Sequence, residues 1–174
     1  MIPAAFIRLV SGLGCAAAAL IGAAVLPAAA ADMPAEVVHA VGEAEQYCRG
    51  EGGTPRQDAG FSRVLDLNGD GGEDWILDFS KFHCVGSIPP EPYCGSGGCS
   101  LIIFVWKEGS AWAQAFDGVA QKYRLLKSKP GFRLEVFVAG NICGRIDAQS
   151  CREVYGFRGS DLVPVDNPAT PRTR

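Results

Sequence analysis

Residues 66–79 read DLNGDGGEDWILDF and lie in the part of the sequence, from Phe61 onward, where strand patterns replace the helical pattern. Four acidic side chains and one asparagine lie within the first nine of these residues, with glycines between them. The flanking segments are FSRVLDL (61–67) and WILDFSKF (75–82), and both have strand character. In the second, Trp75, Leu77 and Phe79 share one face, while Asp78 and Ser80 share the other. The stretch therefore predicts a loop that joins two strands.

The loop also has the ligand spacing of a calcium site. Ca²⁺ takes about six to eight oxygen ligands, and the EF-hand loop supplies them mainly from alternate positions. The candidate ligands here are the side chains at loop positions one, three, five and nine and the backbone carbonyl at position seven: Asp66, Asn68, Asp70, Asp74 and Gly72. Gly71 permits the bend at position six, but Leu77 stands where an EF-hand has its bidentate glutamate. The set must therefore be completed within the loop, by Asp74 and water.

A solvated turn without metal is the alternative, because Asn-Gly and Asp-Gly are favoured turn residues in any hairpin. A bare turn needs only two such residues, however, and four acidic groups would repel one another without a cation. Calcium is therefore the preferred reading, with Glu73 facing solvent. Sodium and magnesium stay open, although magnesium takes fewer protein ligands.

DLNGDGGEDWILDF resembles the Asp-x-Asn-x-Asp-Gly-x-x-Asp calcium loop of FG-GAP/VCBS-type repeats. The resemblance implies a loop between two strands and ligand roles for Asp66, Asn68, Asp70, Asp74 and the Gly72 carbonyl. Such repeats occur in series in a propeller, whereas this chain has one loop and is too short for a propeller. The chain also has an apolar leader at residues 1–31 and the cysteine motifs CGSGGC (94–99) and CGRIDAQSC (143–151). With these features and the loop, it is similar to small uncharacterised secreted proteins of Gram-negative bacteria, a likeness that implies no activity.

The first 31 residues have the pattern of a secretory signal peptide. Arg8 supplies a positive charge, an apolar run covers residues 9–26, and small residues lead to a cleavage site after residue 29, 30 or 31. An uncleaved membrane anchor is the alternative, but no basic cluster follows the run. Lipid attachment at Cys15 is disfavoured, because Gly12 stands where a branched apolar residue is needed. We therefore expect a periplasmic or secreted protein with no membrane span after cleavage.

Removing the leader reduces seven cysteines to six, an even number that favours disulfides in an exported chain. Loop lengths suggest the pairs Cys48–Cys84, Cys94–Cys99 and Cys143–Cys151. The runner-up joins Cys84 to Cys94 and Cys48 to Cys99. A zinc site formed by His83 with Cys84, Cys94 and Cys99 is disfavoured by its long spacings and by export.

The rest of the chain predicts an α+β fold. Asp32, Pro34 and Glu36 suit a helix start, and Val37, Val41, Ala44 and Cys48 recur at helical spacing before Gly50, Gly52 and Gly53 end the helix. Further strands are expected at residues 101–106, 111–116, 122–127, 132–140 and 152–158. The prediction is one N-terminal helix packed on an antiparallel β-meander of six or seven strands, with disulfide staples. One domain would cover residues 32–162, and residues 163–174 would be a disordered tail.

Function is less well determined. The formal net charge is −3 and no basic stripe is visible, so nucleic acid is not an expected partner. No catalytic motif is present, which favours an exported, monomeric calcium-binding module that has a non-catalytic role and binds a protein or an envelope component. The alternative is a small periplasmic hydrolase or envelope-modifying enzyme. Its site would need acids such as Asp117, Glu135 and Asp147, or His83, to meet in three dimensions.

Overall fold

The computed structural model describes residues 33–109, 111–144 and 150–165. The predicted signal peptide at residues 1–31, the tail from residue 166 onward, and the candidate residues Asp32 and Asp147 lie outside these ranges. Within the described ranges, the elements are a helix α1 (Ala35–Gly50), a 3₁₀ turn (Phe79–Lys81) and eleven strands: β1 (Thr54–Gln57), β2 (Ser62–Leu65), β3 (Asp74–Asp78), β4 (Phe82–Val85), β5 (Cys94–Gly95), β6 (Gly98–Lys107), β7 (Ala111–Ala120), β8 (Lys122–Lys127), β9 (Phe132–Val138), β10 (Cys151–Arg158) and β11 (Asp161–Pro164).

The strands form three antiparallel sheets. β1 pairs with β4, the strands from β8 to β11 form a second sheet in the order β11-β10-β9-β8, and the central sheet has the order β2-β3-β6-β5 with β7 on the other edge of β6. The predicted α+β class and antiparallel pairing are confirmed. The predicted count of six or seven strands and the simple meander are wrong, because β3 pairs with β6 across the intervening β4 and β5.

The central sheet lies between two apolar layers. Trp75, Leu77 and Phe104 pack with α1 and the phenylalanines around β4, while Ile76 and Ile103 pack on the opposite side with residues of β9. A sheet covered on both faces needs apolar residues at every position of its inner strands. This explains why 75–77 and 101–105 are continuous apolar runs in the sequence.

Two predicted boundaries change. WILDFSKF is not one strand, because the Asp78 side chain accepts a hydrogen bond from the Ser80 amide (3.0 Å) and begins the 3₁₀ turn that separates β3 from β4. The domain does not end at residue 162, because Val163 lies opposite Gly156 in the β10–β11 pair and the strand continues to Pro164.

The disulfides are Cys48–Cys84, Cys94–Cys99 and Cys143–Cys151, so the preferred pairing is confirmed and the runner-up is wrong. The first joins α1 to β4, and both of its cysteines are fully buried. Three disulfides indicate an oxidising, non-cytoplasmic environment. The described part of the chain contains no helix that is long and apolar enough to cross a membrane.

Candidate metal centre

The acidic loop, residues 66–73, connects β2 to β3 as predicted. Its side-chain oxygens turn inward to the loop's own backbone. The Asp66 carboxylate accepts from the amides of Gly69 (2.7 Å) and Gly71 (3.0 Å). Asn68 Oδ1 accepts from the Asp70 amide (3.0 Å), and Asp70 Oδ1 accepts from the Gly72 amide (2.7 Å). These hydrogen bonds form Asx-type turns, which are the turns expected for a loop without metal. They also bring the side-chain oxygens of loop positions one, three and five to the same loop backbone.

Asp74 has a different position from the other predicted ligands. Its side chain is fully buried, Oδ2 accepts from the Leu67 amide (2.7 Å), and Oδ1 accepts from the Trp106 amide (2.9 Å). Burial raises the pKa of this carboxyl, the backbone hydrogen bonds oppose that increase, and the nearby charge of Asp70 adds to it. Asp74 therefore fastens the start of the loop to the central strand β6.

The loop also contacts the turns of the neighbouring hairpins. Leu67 O accepts from the Phe132 amide (2.7 Å), and the Gly69 backbone lies against the β8–β9 turn, where an added Cβ would be 2.7 Å from Pro130. Asn68 Nδ2 donates to Gly159 O (3.2 Å) in the β10–β11 turn. The loop thus holds together the ends of both large sheets, a role that the sequence does not reveal.

Gly72, predicted to offer a carbonyl, has a packing role as well. A Cβ at this position would be 2.7 Å from the Trp106 ring, so the indole lies directly on the loop backbone. Beside it, Trp112 Nε1 donates to Glu73 O (2.9 Å). Glycine at position 72 is therefore required by the close approach of an aromatic side chain.

Whether the loop suits calcium depends on the atoms that it offers as metal ligands. Among the described residues, no group of three or more His, Cys, Asp or Glu side chains is arranged to hold a metal ion by itself. A cation in this loop would therefore depend on neutral oxygens too, such as the Asn68 side chain and backbone carbonyls. All of these candidate ligand atoms are oxygens, and oxygen is the ligand that Ca²⁺ prefers.

An open cleft of about 580 Å³ lies beside the loop, at the end of the sheets. Its lining combines polar loop residues with aromatic and charged side chains: Asn68, Asp70, Trp106, Lys107, Glu108 and Phe157. Trp106 is half-buried, and its ring forms part of this lining.

Of the residues suggested for an enzyme, the three that the structure describes, Asp117, Glu135 and His83, have separate hydrogen-bond and ion-pair partners. Asp117 lies on β7, where it accepts from Gln114 Nε2 (3.0 Å), and Glu135 lies on β9, where Arg124 and Arg152 hold it. His83 has acidic neighbours that its position in the sequence does not reveal. Its Nε2 is 3.0 Å from Asp58 and its Nδ1 is 3.5 Å from Glu91, so both ring nitrogens face carboxylates.

No family model, curated protein or solved structure matches this chain.

Proposed function

We propose that the chain is an exported, disulfide-stabilised module that binds calcium in the loop of residues 66–74 and has a non-catalytic role as a binding or envelope-associated protein, periplasmic or secreted. The observation that carries the proposal is the inward orientation of the oxygens of Asp66, Asn68 and Asp70 within a loop that fastens both large sheets. These three residues would hold the ion with Asp74 and the Gly72 carbonyl. The ion would supply positive charge where carboxylates crowd together.

A stabilising role follows from where the loop lies. Its residues contact β6, the β8–β9 turn and the β10–β11 turn, so a ligand that orders the loop acts on several hairpins together. A ligand that binds only the folded state stabilises it by RT ln(1 + [L]/Kd). Calcium at about ten times its Kd would therefore add about 1.4 kcal/mol. Extracellular calcium modules commonly have Kd values of about 0.1 to 1 mM.

The test is a calcium titration of the leader-free, oxidised protein by calorimetry and by thermal unfolding. We expect a heat of binding and a melting temperature that rises with calcium concentration. Asp70→Asn keeps an acceptor for the Gly72 amide but removes the charge and the acceptor for Asn68 Nδ2 (2.7 Å), so it should weaken binding while the hydrogen bond to Gly72 remains. Glu73→Gln is the matched control, because it removes one charge from the exposed side of the same loop.

Absence of both heat and thermal shift at millimolar calcium would refute the calcium site. Equal losses in Asp70→Asn and Glu73→Gln would also refute it, since they would indicate general attraction to an acidic surface and no defined ligand set.

A further inference from the structure

The outer face of the sheet β8–β11 is strongly basic. On β9, Leu134, Val136 and Val138 point into the core, so the alternate residues of this strand point outward. The strand register places outward residues of β8 and β10 beside them, with Arg124 opposite Glu135 and Arg152 opposite Phe137. The exposed cations on this surface, here called the basic face, are Lys122, Arg124, Arg133, Arg152 and Arg158.

The charge on the basic face is opposite in sign to that of the chain. On the described strands, two carboxylates share this face with the five cations: Glu135, and Asp161 opposite Arg158. The face therefore has three net positive charges, whereas the whole chain has a formal net charge of −3. Because the cations alternate with apolar residues along three strands, no basic stripe is visible in the sequence.

The cations are held in place by side chains of the sheet itself. Glu135 is 3% exposed, although its partners are on the surface. It accepts a hydrogen bond from Arg152 Nε and lies 3.7 Å from Arg124 Nη1. Lys122 Nζ and the Arg124 guanidinium lie 4.3 Å and 5.4 Å from the centroid of the Phe137 ring. One buried carboxylate and one aromatic ring thus fix three of the five cations over the sheet.

We propose that the basic face docks on an anionic lipid surface. Neighbouring strands are about 4.8 Å apart and alternate residues of one strand about 7 Å apart, so the cations form a broad two-dimensional array. Such an array matches a flat field of headgroups better than a duplex groove, which receives a protruding helix or ribbon. Phe137 and Val154, both half-buried, supply apolar area between the charges. The proposal names a partner for the envelope-associated role, but it does not depend on calcium.

The test is co-sedimentation of the leader-free protein with phosphatidylcholine vesicles, with and without phosphatidylglycerol, in a calcium chelator. The chelator separates this proposal from the calcium proposal, so either can fail alone. We expect binding only to the anionic vesicles, and loss of binding as salt rises, because the screening length falls from about 10 Å at 0.1 M to about 3 Å at 1 M.

Lys122→Gln/Arg133→Gln removes two cations of the face without leaving the buried Glu135 unpaired. Each basic residue near an anionic surface contributes about fivefold to partitioning, so the double variant should bind about 25-fold more weakly. Arg49→Gln/Lys81→Gln is the matched control, because these exposed cations belong to α1 and the 3₁₀ turn. Lys122→Arg/Arg133→Lys keeps both charges and should bind as the native protein does.

Three results would overturn the proposal. The first is a native protein that ignores anionic vesicles at low salt. The second is a control variant that loses as much binding as Lys122→Gln/Arg133→Gln. The third is a self-association in sedimentation that the face variant abolishes while vesicle binding is unchanged, since the occupant would then be a second copy of the chain.

Discussion

Replacement of Asp74 by alanine should destabilise the protein whether or not calcium is present. The Asp74 carboxylate is fully buried and accepts from two backbone amides, those of Leu67 and Trp106. Without it, both amides lose their acceptor, that of Leu67 at a buried position and that of Trp106 at a half-buried one, at about 1 to 3 kcal/mol each. Removing a buried carboxylate whose pKa is already raised offsets part of this loss. We therefore expect a net loss of about 3 kcal/mol.

The assay is thermal unfolding of Asp74→Ala and the native protein in a calcium chelator, followed by circular dichroism. For a domain of this size, 1 kcal/mol corresponds to about 2 to 4 °C, so the melting temperature should fall by about 6 to 12 °C. Asp66→Ala is the matched control. It also removes an acceptor for two amides, Gly69 and Gly71, but both are exposed and can turn to water, so it should cost about 1 kcal/mol.

A melting temperature for Asp74→Ala within a degree of the native value would refute the conclusion that the Asp74 carboxylate anchors the loop to β6. A fall that occurs only when calcium is present would also refute it, and would assign the residue's contribution to the ion.

Two further predictions concern glycine and cystine. Gly131→Ala should cost clearly more stability than Gly71→Ala. Both glycines have a positive φ, a conformation that costs alanine about 1 to 2 kcal/mol. Only a Cβ at position 131 would overlap the Leu67 carbonyl oxygen, because a Cβ at position 71 meets open space. Equal losses of stability in urea unfolding would contradict this close approach. Replacing the Cys48–Cys84 disulfide by two alanines should cost about 4 kcal/mol of stability, and replacing Cys94–Cys99 about 2 kcal/mol. The reason is that the paired cysteines are 36 and 5 residues apart, and the longer loop restricts the unfolded chain more. The reverse order in urea unfolding would exclude this chain-entropy explanation.

Local patterns predicted much of the fold. The helical spacing of Val37, Ala44 and Cys48 placed α1, and all three residues are buried. The apolar run at residues 101–106 lies in the central strand β6. Short strands such as β5 and β11 were missed, because two to four residues are too few to show a period and their pairing depends on distant partners.

For the candidate site too, the sequence predicted the local features but not the contacts with distant residues. Position within the loop is a local property, so the sequence predicted correctly that residues 66–73 form a tight, glycine-containing turn between two strands. The role of Asp74 was not predictable, since its second amide partner lies 32 residues away. The contact of Asn68 with Gly159, 91 residues apart, was equally hidden.

The sequence by itself determined the helix, the antiparallel strand character and an oxygen-rich loop with calcium-type spacing, and it favoured one disulfide pairing while leaving a second open. Only the tertiary structure decided that the loop fastens both large sheets, that Asp74 is buried, and that five cations form one face. The physical reason is the separation along the chain over which each interaction acts. Backbone propensity and periodicity act between near neighbours in sequence, whereas burial, buried hydrogen-bond partners and surface charge depend on which strands pack together.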